Sequence, residues 1–162
     1  MFFTVSITLT AWRKNMSTLT RPLYTTEKEI LDLVNNFSSR TLPLQEWTHE
    51  AHLVTALWFN KTYDEFEAIC YLRSGIITYN VLTGGQNTPE KGYHETLTIF
   101  WCKIIREFIN KNRELSLVDL CNTLFKSQWT SKELPLQFYT RELLSSVKAR
   151  AIWVEPDKLS LT

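Results

Sequence analysis

From Thr26 onward the apolar residues of this chain recur at helical intervals, and the interruptions between the periodic stretches are short. Thr26 with Glu29 forms a capping box, after which Ile30, Leu33, Val34 and Phe37 mark one face of a first helix ending near Arg40. Pro43 breaks the chain. The spacing predicts a second helix over about 44–61 and a third over about 63–82, stopped by Gly84-Gly85. A fourth is expected from about 93 to 110 and a fifth, capped by Ser116 and Asp119, through Phe125. A sixth follows over roughly 136–153, with an interruption at Ser145-Ser146. The expected architecture is all-α, a single compact bundle of about six helices covering residues 21–162.

Ahead of this domain, Phe2 to Leu9 alternates apolar and polar residues like a strand, yet no second segment offers it a partner. The stretch lacks the basic flank of a signal peptide and is too short to span a bilayer. Met16 is an alternative start, and residues 1–20 are expected to form a loosely ordered extension.

Composition supports helices over a many-turned β fold, because Gly is scarce at four residues while aromatics reach 13%. A chain of 162 residues buries roughly 70% of its unfolded surface in one core, so one domain is the natural expectation. The 18 basic and 17 acidic residues leave a formal charge of +1 and no basic run, so neither nucleic acid nor an anionic membrane is expected as a partner. Cys70, Cys102 and Cys121 are widely spaced in apolar stretches, which reads as buried thiols in a reducing compartment, with the cytoplasm as the default.

Candidate chemistry is concentrated. All three histidines fall in two short motifs, Glu46-Trp-Thr-His-Glu-Ala-His52 and Gly92-Tyr-His-Glu-Thr96. On a helical projection His94 lies mid-arc among Leu97, Trp101, Ile104, Ile105 and Phe108, so it is expected to face the core from the first helical turn. There the free N–H groups favour a neutral imidazole. Glu95 points about a quarter turn away, near Arg106, as a surface or boundary ion pair would. His49 and His52 are one turn apart, on a narrow stripe with Gln45 and Ala56, while Trp47, Ala51, Val54 and Trp58 fill the opposite arc. Glu46 stands three residues before His49, the Glu-x-x-His spacing of carboxylate-bridged metal sites. Two rings here and a third from the facing helix would give three nitrogen ligands and an open position, the layout of a catalytic first-row metal. His-Glu-Ala-His is one residue short of the zinc-protease motif, so that motif's general base does not carry over.

Arg73 and Asn80 interrupt the apolar arc of the third helix, and a buried guanidinium needs either a carboxylate such as Glu46, Glu50 or Glu95 or an anionic ligand. The loop from Leu82 to Gly92, rich in Gly, amides and hydroxyls, leads from Asn80 to His94 and suits a lid, although an ordinary connection would look similar. Near the C-terminus, Arg150 with Asp157 is expected to clamp the tail, with Trp153 supplying apolar area.

Trp-Thr-His-Glu-Ala-His-Leu53, Asn80 with Gly84-Gly85 and Asn87-Thr88, Gly-Tyr-His-Glu-Thr-Leu-Thr98 and Trp-Val-Glu-Pro-Asp157 together resemble a group of small helical proteins with no established activity. The likeness spans about 42–157 and implies only that these stretches belong together. Three readings follow. The leading one is a small metal-dependent enzyme in which His49, His52 and His94 hold one Zn²⁺ or Fe²⁺ ion and Glu46 or Glu50 is a fourth ligand or general base. In it Arg73 orients an anionic group of a small substrate, with Asn80, Asn87 and Tyr93 beside it. The alternatives are a metal-free protein that binds a small molecule through the same residues, and a helical interaction module with an exposed apolar patch and no closed pocket.

Overall fold

The computed structural model describes residues 24–161, so the strand-like opening segment, Met16 and the expected N-terminal extension lie outside the described residues. Among the described residues there are eight α-helices, two 3₁₀ turns and no strand. Helix α1 (Glu27–Ser38) carries the predicted capping box, with the Thr26 hydroxyl and the Glu29 carboxylate each bonded to the other's backbone N–H. Its buried face is Ile30, Leu33, Val34 and Phe37, as the periodicity requires.

The second helix starts later than the apolar spacing predicts. Pro43 opens a 3₁₀ turn over Leu44–Glu46, the chain leaves helical geometry at Trp47, and α2 runs over His49–Thr62. Thr48 sets this boundary, since its extended backbone and its hydroxyl, accepting from the Ala51 N–H, make it the N-cap. α2 is the central helix: Leu53, Val54, Ala56, Leu57 and Phe59 are all buried, and it packs on α1, α3, α4 and α5. A helix apolar on nearly every side has to sit in the middle of the bundle.

Asp64 caps α3 (Glu65–Leu82), and Ser116 caps α5 (Leu117–Phe125). Between them α4 (Glu95–Lys111) lies against both α2 and α3. Its N-cap is His94 itself, one residue outside the helix, not within the first turn as predicted. The expected sixth helix is three short ones, α6 (Pro135–Phe138), α7 (Arg141–Ser145) and α8 (Val147–Ala151). The Thr140 and Ser146 hydroxyls each accept a bond from a following backbone N–H and restart the helix after a break. These pieces close a second small core of Phe100, Ile104, Leu134, Tyr139, Ala149 and Val154 against α4. The tail is held differently from the expected clamp. Asp157 takes the Thr140 N–H and hydroxyl, while Arg150 donates to the Gly92 and Tyr93 carbonyls. Cys102 and Cys121 are buried, but Cys70 is exposed because the helical turn around it places Ile69 inward instead. No helix among the described residues is long and apolar enough to cross a membrane.

Candidate functional site

A cavity of about 320 Å³ opens between α2, α3, α4 and the turn before α4, and all three histidines line it. α2 contributes His49, His52, Leu53 and Ala56, with Trp47 just ahead of it; α3 contributes Leu72 and Ile76. Gly92, Tyr93 and His94 form the next wall, and Leu97, Thr98 and Trp101 of α4 the last. Rings from both segments therefore face one cavity. The ring arrangement differs from the projection: Trp47, outside the helix, lies against His52 with centroids 3.8 Å apart, and Phe37 stacks on Trp47 at 4.4 Å. Trp101 meets His49 edge-on at 5.2 Å.

Each imidazole is fixed by a backbone carbonyl, which accepts only and so dictates the tautomer. His49 donates from Nε2 to Thr130 O at 3.0 Å, leaving its Nδ1 lone pair unspent. His52 donates from Nδ1 to Thr48 O at 2.7 Å, leaving its Nε2 lone pair unspent. His94 has neither nitrogen to spare. Its Nε2–H donates to Leu144 O at 2.8 Å while Nδ1 accepts the Leu97 N–H at 3.3 Å as the helix cap. A ring on cap duty with both nitrogens bonded is not a metal ligand in this arrangement.

Burial holds all three rings neutral. For His52 desolvation outweighs the Thr48 bond and brings its pKa to about 4. Burial also lowers the pKa of His49 against the opposing Thr130 bond, and that of His94 against the Leu144 bond, the latter helped by the nearby Arg150 charge. An imidazole that titrates near 4 is a weak base at neutral pH and can offer a hydrogen-bond acceptor.

The acidic candidates stand apart. Glu46 is exposed on the 3₁₀ turn and does not line the cavity, because the break at Trp47 removes the helical register that would have set it under His49. Glu50 lies outside the lining as well. Burial pushes its carboxyl up, but its own backbone N–H, the Thr48 hydroxyl and nearby positive charge hold it below the usual range. Arg73 is also absent from the cavity wall: it forks onto Glu95, with Nε to Oε2 at 3.0 Å and an Nη2–Oε1 contact. Tyr93 donates its hydroxyl to the same Glu95 at 2.6 Å. Glu95 thus pairs with Arg73, not Arg106, whose guanidinium goes to the Asn60 side chain and the Tyr63 carbonyl. Burial most of all, then its bond to Glu95, raises the Tyr93 pKa against the opposing Thr98 hydroxyl and Arg73 charge.

Asn80 and Asn87 are loop fasteners. Asn80 donates to Asn87 Oδ1 at 2.8 Å, and that oxygen also takes the Tyr93 N–H at 3.0 Å. The Asn87 amide donates in turn to Ile77 O. Of the four residues expected around a substrate, only Tyr93 lines the histidine cavity. Reasoning from the sequence missed Trp47, Leu97 and Thr98 as wall residues. A Thr at 48 followed three residues later by a free N–H was the available signal for a cap there, and it would have moved Trp47 out of the helix.

Among the described residues no three His, Cys, Asp or Glu side chains form a group placed to hold a metal ion. Among the described residues the site offers a ligand two imidazole lone pairs, on His49 and His52, to which no hydrogen bond is made. Trp47 adds an indole N–H that is buried without a partner among the described residues. Comparison with family models, with curated proteins and with solved structures finds no match.

Proposed function

We propose that this chain is a small-molecule-binding protein whose histidine cavity takes an uncharged aromatic ligand bearing an N–H or O–H donor. One observation carries the reading: the tautomers of His49 and His52 are fixed so that each keeps a lone pair, inside a wall that contains no charged side chain. An ionised ligand would leave its charge unpaired against Leu53, Leu72, Ile76 and Trp101, at a cost of several kcal/mol on the order given by transfer data. The volume of about 320 Å³ is at the small end for ligand sites, which suits one or two fused rings. Flanking Trp47, Tyr93 and Trp101 supply faces and edges for such rings.

The test uses indole and its isostere benzofuran, which lacks the N–H, in NMR titrations of the full chain. Indole is expected to bind up to about tenfold more tightly, the range of one neutral hydrogen bond, and His52→Leu should erase the difference. Equal affinity for the two compounds in the wild-type protein rejects the reading. A metal is the second reading, favoured by the carbonyl partner that orients each of His49 and His52 through its other nitrogen, as ligating imidazoles usually have. Here the ion would be Zn²⁺ or Fe²⁺ on His49 Nδ1 and His52 Nε2. Elemental analysis of untagged protein with a Zn²⁺ titration decides it, and absence of stoichiometric binding removes it.

A further inference from the structure

Tyr93 also lines a second groove of about 540 Å³, which runs between α3 and α8. Its charged wall residues are Arg73, Arg150 and Glu95. Both Glu95 oxygens are taken, by Arg73 and by the Tyr93 hydroxyl. Arg150 is partly buried and has no carboxylate partner among the described residues; its Nη1 donates to two backbone carbonyls, and its Nε is buried with no partner. Arg73 Nη1 and Arg150 Nη2 likewise have no bond within the described residues, so donors remain on both walls. A partly buried guanidinium without an acid, its Nε buried and unbonded among the described residues, is satisfied by an anion.

We propose that this groove is a binding site for a small monocarboxylate with an apolar body, its carboxylate held between Arg73 and Arg150. Two guanidiniums against one carboxylate leave a single positive charge, which one carboxylate neutralises and a phosphate monoester, at about −1.5 to −2, would overshoot. Carboxylate geometry also matches the fork that a guanidinium presents. Ile77 and Val147 flank the charged wall and give an apolar body its contact. Of the lining residues, Tyr93 alone is shared with the histidine cavity.

Benzoate, acetate and inorganic phosphate, each at ionic strength matched with sodium chloride, are titrated into the full chain and followed by two-dimensional NMR. Benzoate is expected to saturate with shifts centred on Tyr93 and Ala151, and to bind on the order of tenfold more tightly than acetate because its ring is covered. Phosphate should bind no better than acetate. Arg150→Gln should weaken benzoate at least tenfold. Since that change also removes the bonds to Gly92 and Tyr93, Ala151→Glu serves as the second variant: Ala151 is exposed on the groove wall, and a carboxylate there neutralises the site without touching the core. It should abolish benzoate binding, while His52→Gln leaves it unchanged. Shifts reproduced by chloride, binding that survives Ala151→Glu, or phosphate binding more tightly than benzoate overturns the assignment.

Discussion

Acid should unfold this protein partly through His52. In the unfolded chain the ring titrates near 6.5, and in the folded one near 4, so between those values the unfolded state holds a proton that the folded state does not. Stability therefore falls as pH drops through that window and is flat, as far as this group is concerned, above 6.5 and below about 4. At 1.36 kcal/mol per pH unit the full window is worth about 3 kcal/mol at most, because the ring keeps some contact with water. Between pH 7 and pH 4.5 the same linkage gives about 2 kcal/mol. The assay is urea denaturation of wild type and His52→Gln at both pH values, which makes a double difference in which groups not coupled to His52 cancel and the small couplings to His49 and Glu50 remain. Wild type should lose about 2 kcal/mol more than the variant on acidification, whatever the variant's stability at pH 7. Equal losses would mean that His52 is solvated enough to titrate normally, and the neutral-acceptor account of the cavity would go with it.

Three other outcomes follow from particular contacts. Glu95→Gln leaves Arg73 without its fork; the carboxylate is buried but the guanidinium side chain is 39% exposed, so urea denaturation should read a loss of about 1–2 kcal/mol, below that of a fully buried pair. Thr48→Ala removes the α2 cap and should cost about 1 kcal/mol in the same assay, with weaker indole binding because His49 and His52 occupy the first turn. Gly84 and Gly92 both have φ of +81°, but an added Cβ meets open space at Gly84 and lies 2.0 Å from the Gln86 carbonyl oxygen at Gly92. Gly84→Ala should therefore cost about 1 kcal/mol and Gly92→Ala at least 2–3 kcal/mol, and equal costs would contradict the packed geometry of that turn.

The caps that follow the usual menu made much of the bundle readable. Thr26 with Glu29 and Ser116 with Asp119 are local rules, and they place α1 and α5 correctly because nothing distant competes with them. The misplaced boundaries have a common cause: hydrophobic periodicity runs through a break if the residues beyond it are also apolar. Leu44 to Trp47 continue the pattern of α2 across the Thr48 cap, and Leu143 to Trp153 continue it across Ser146. His94 as an N-cap was invisible for a different reason, since imidazole is not among the short oxygen-bearing side chains that usually take that position. Spacing placed the three rings at one cavity, yet it says nothing about which nitrogen is spent. That depended on the Thr130 and Leu144 carbonyls, which come from 81 and 50 residues away in the chain.

The first turn of α4 is stitched to the last short helices. His94 reaches Leu144 O, Thr96 bonds Ile152 O and takes the Val154 N–H, and Arg150 spans back to the Gly92 and Tyr93 carbonyls. A ribosome delivers these partners in the opposite order from the one the pocket needs. While residues beyond about 140 are still in the exit tunnel, α1 to α4 already have the means to collapse, but the wall carrying His94 has nothing to lean on. The wall carrying His94 is therefore completed only after residues beyond about 150 emerge, and nascent chains arrested before that point should be compact and protease-resistant over α1 to α3 but without a formed histidine cavity.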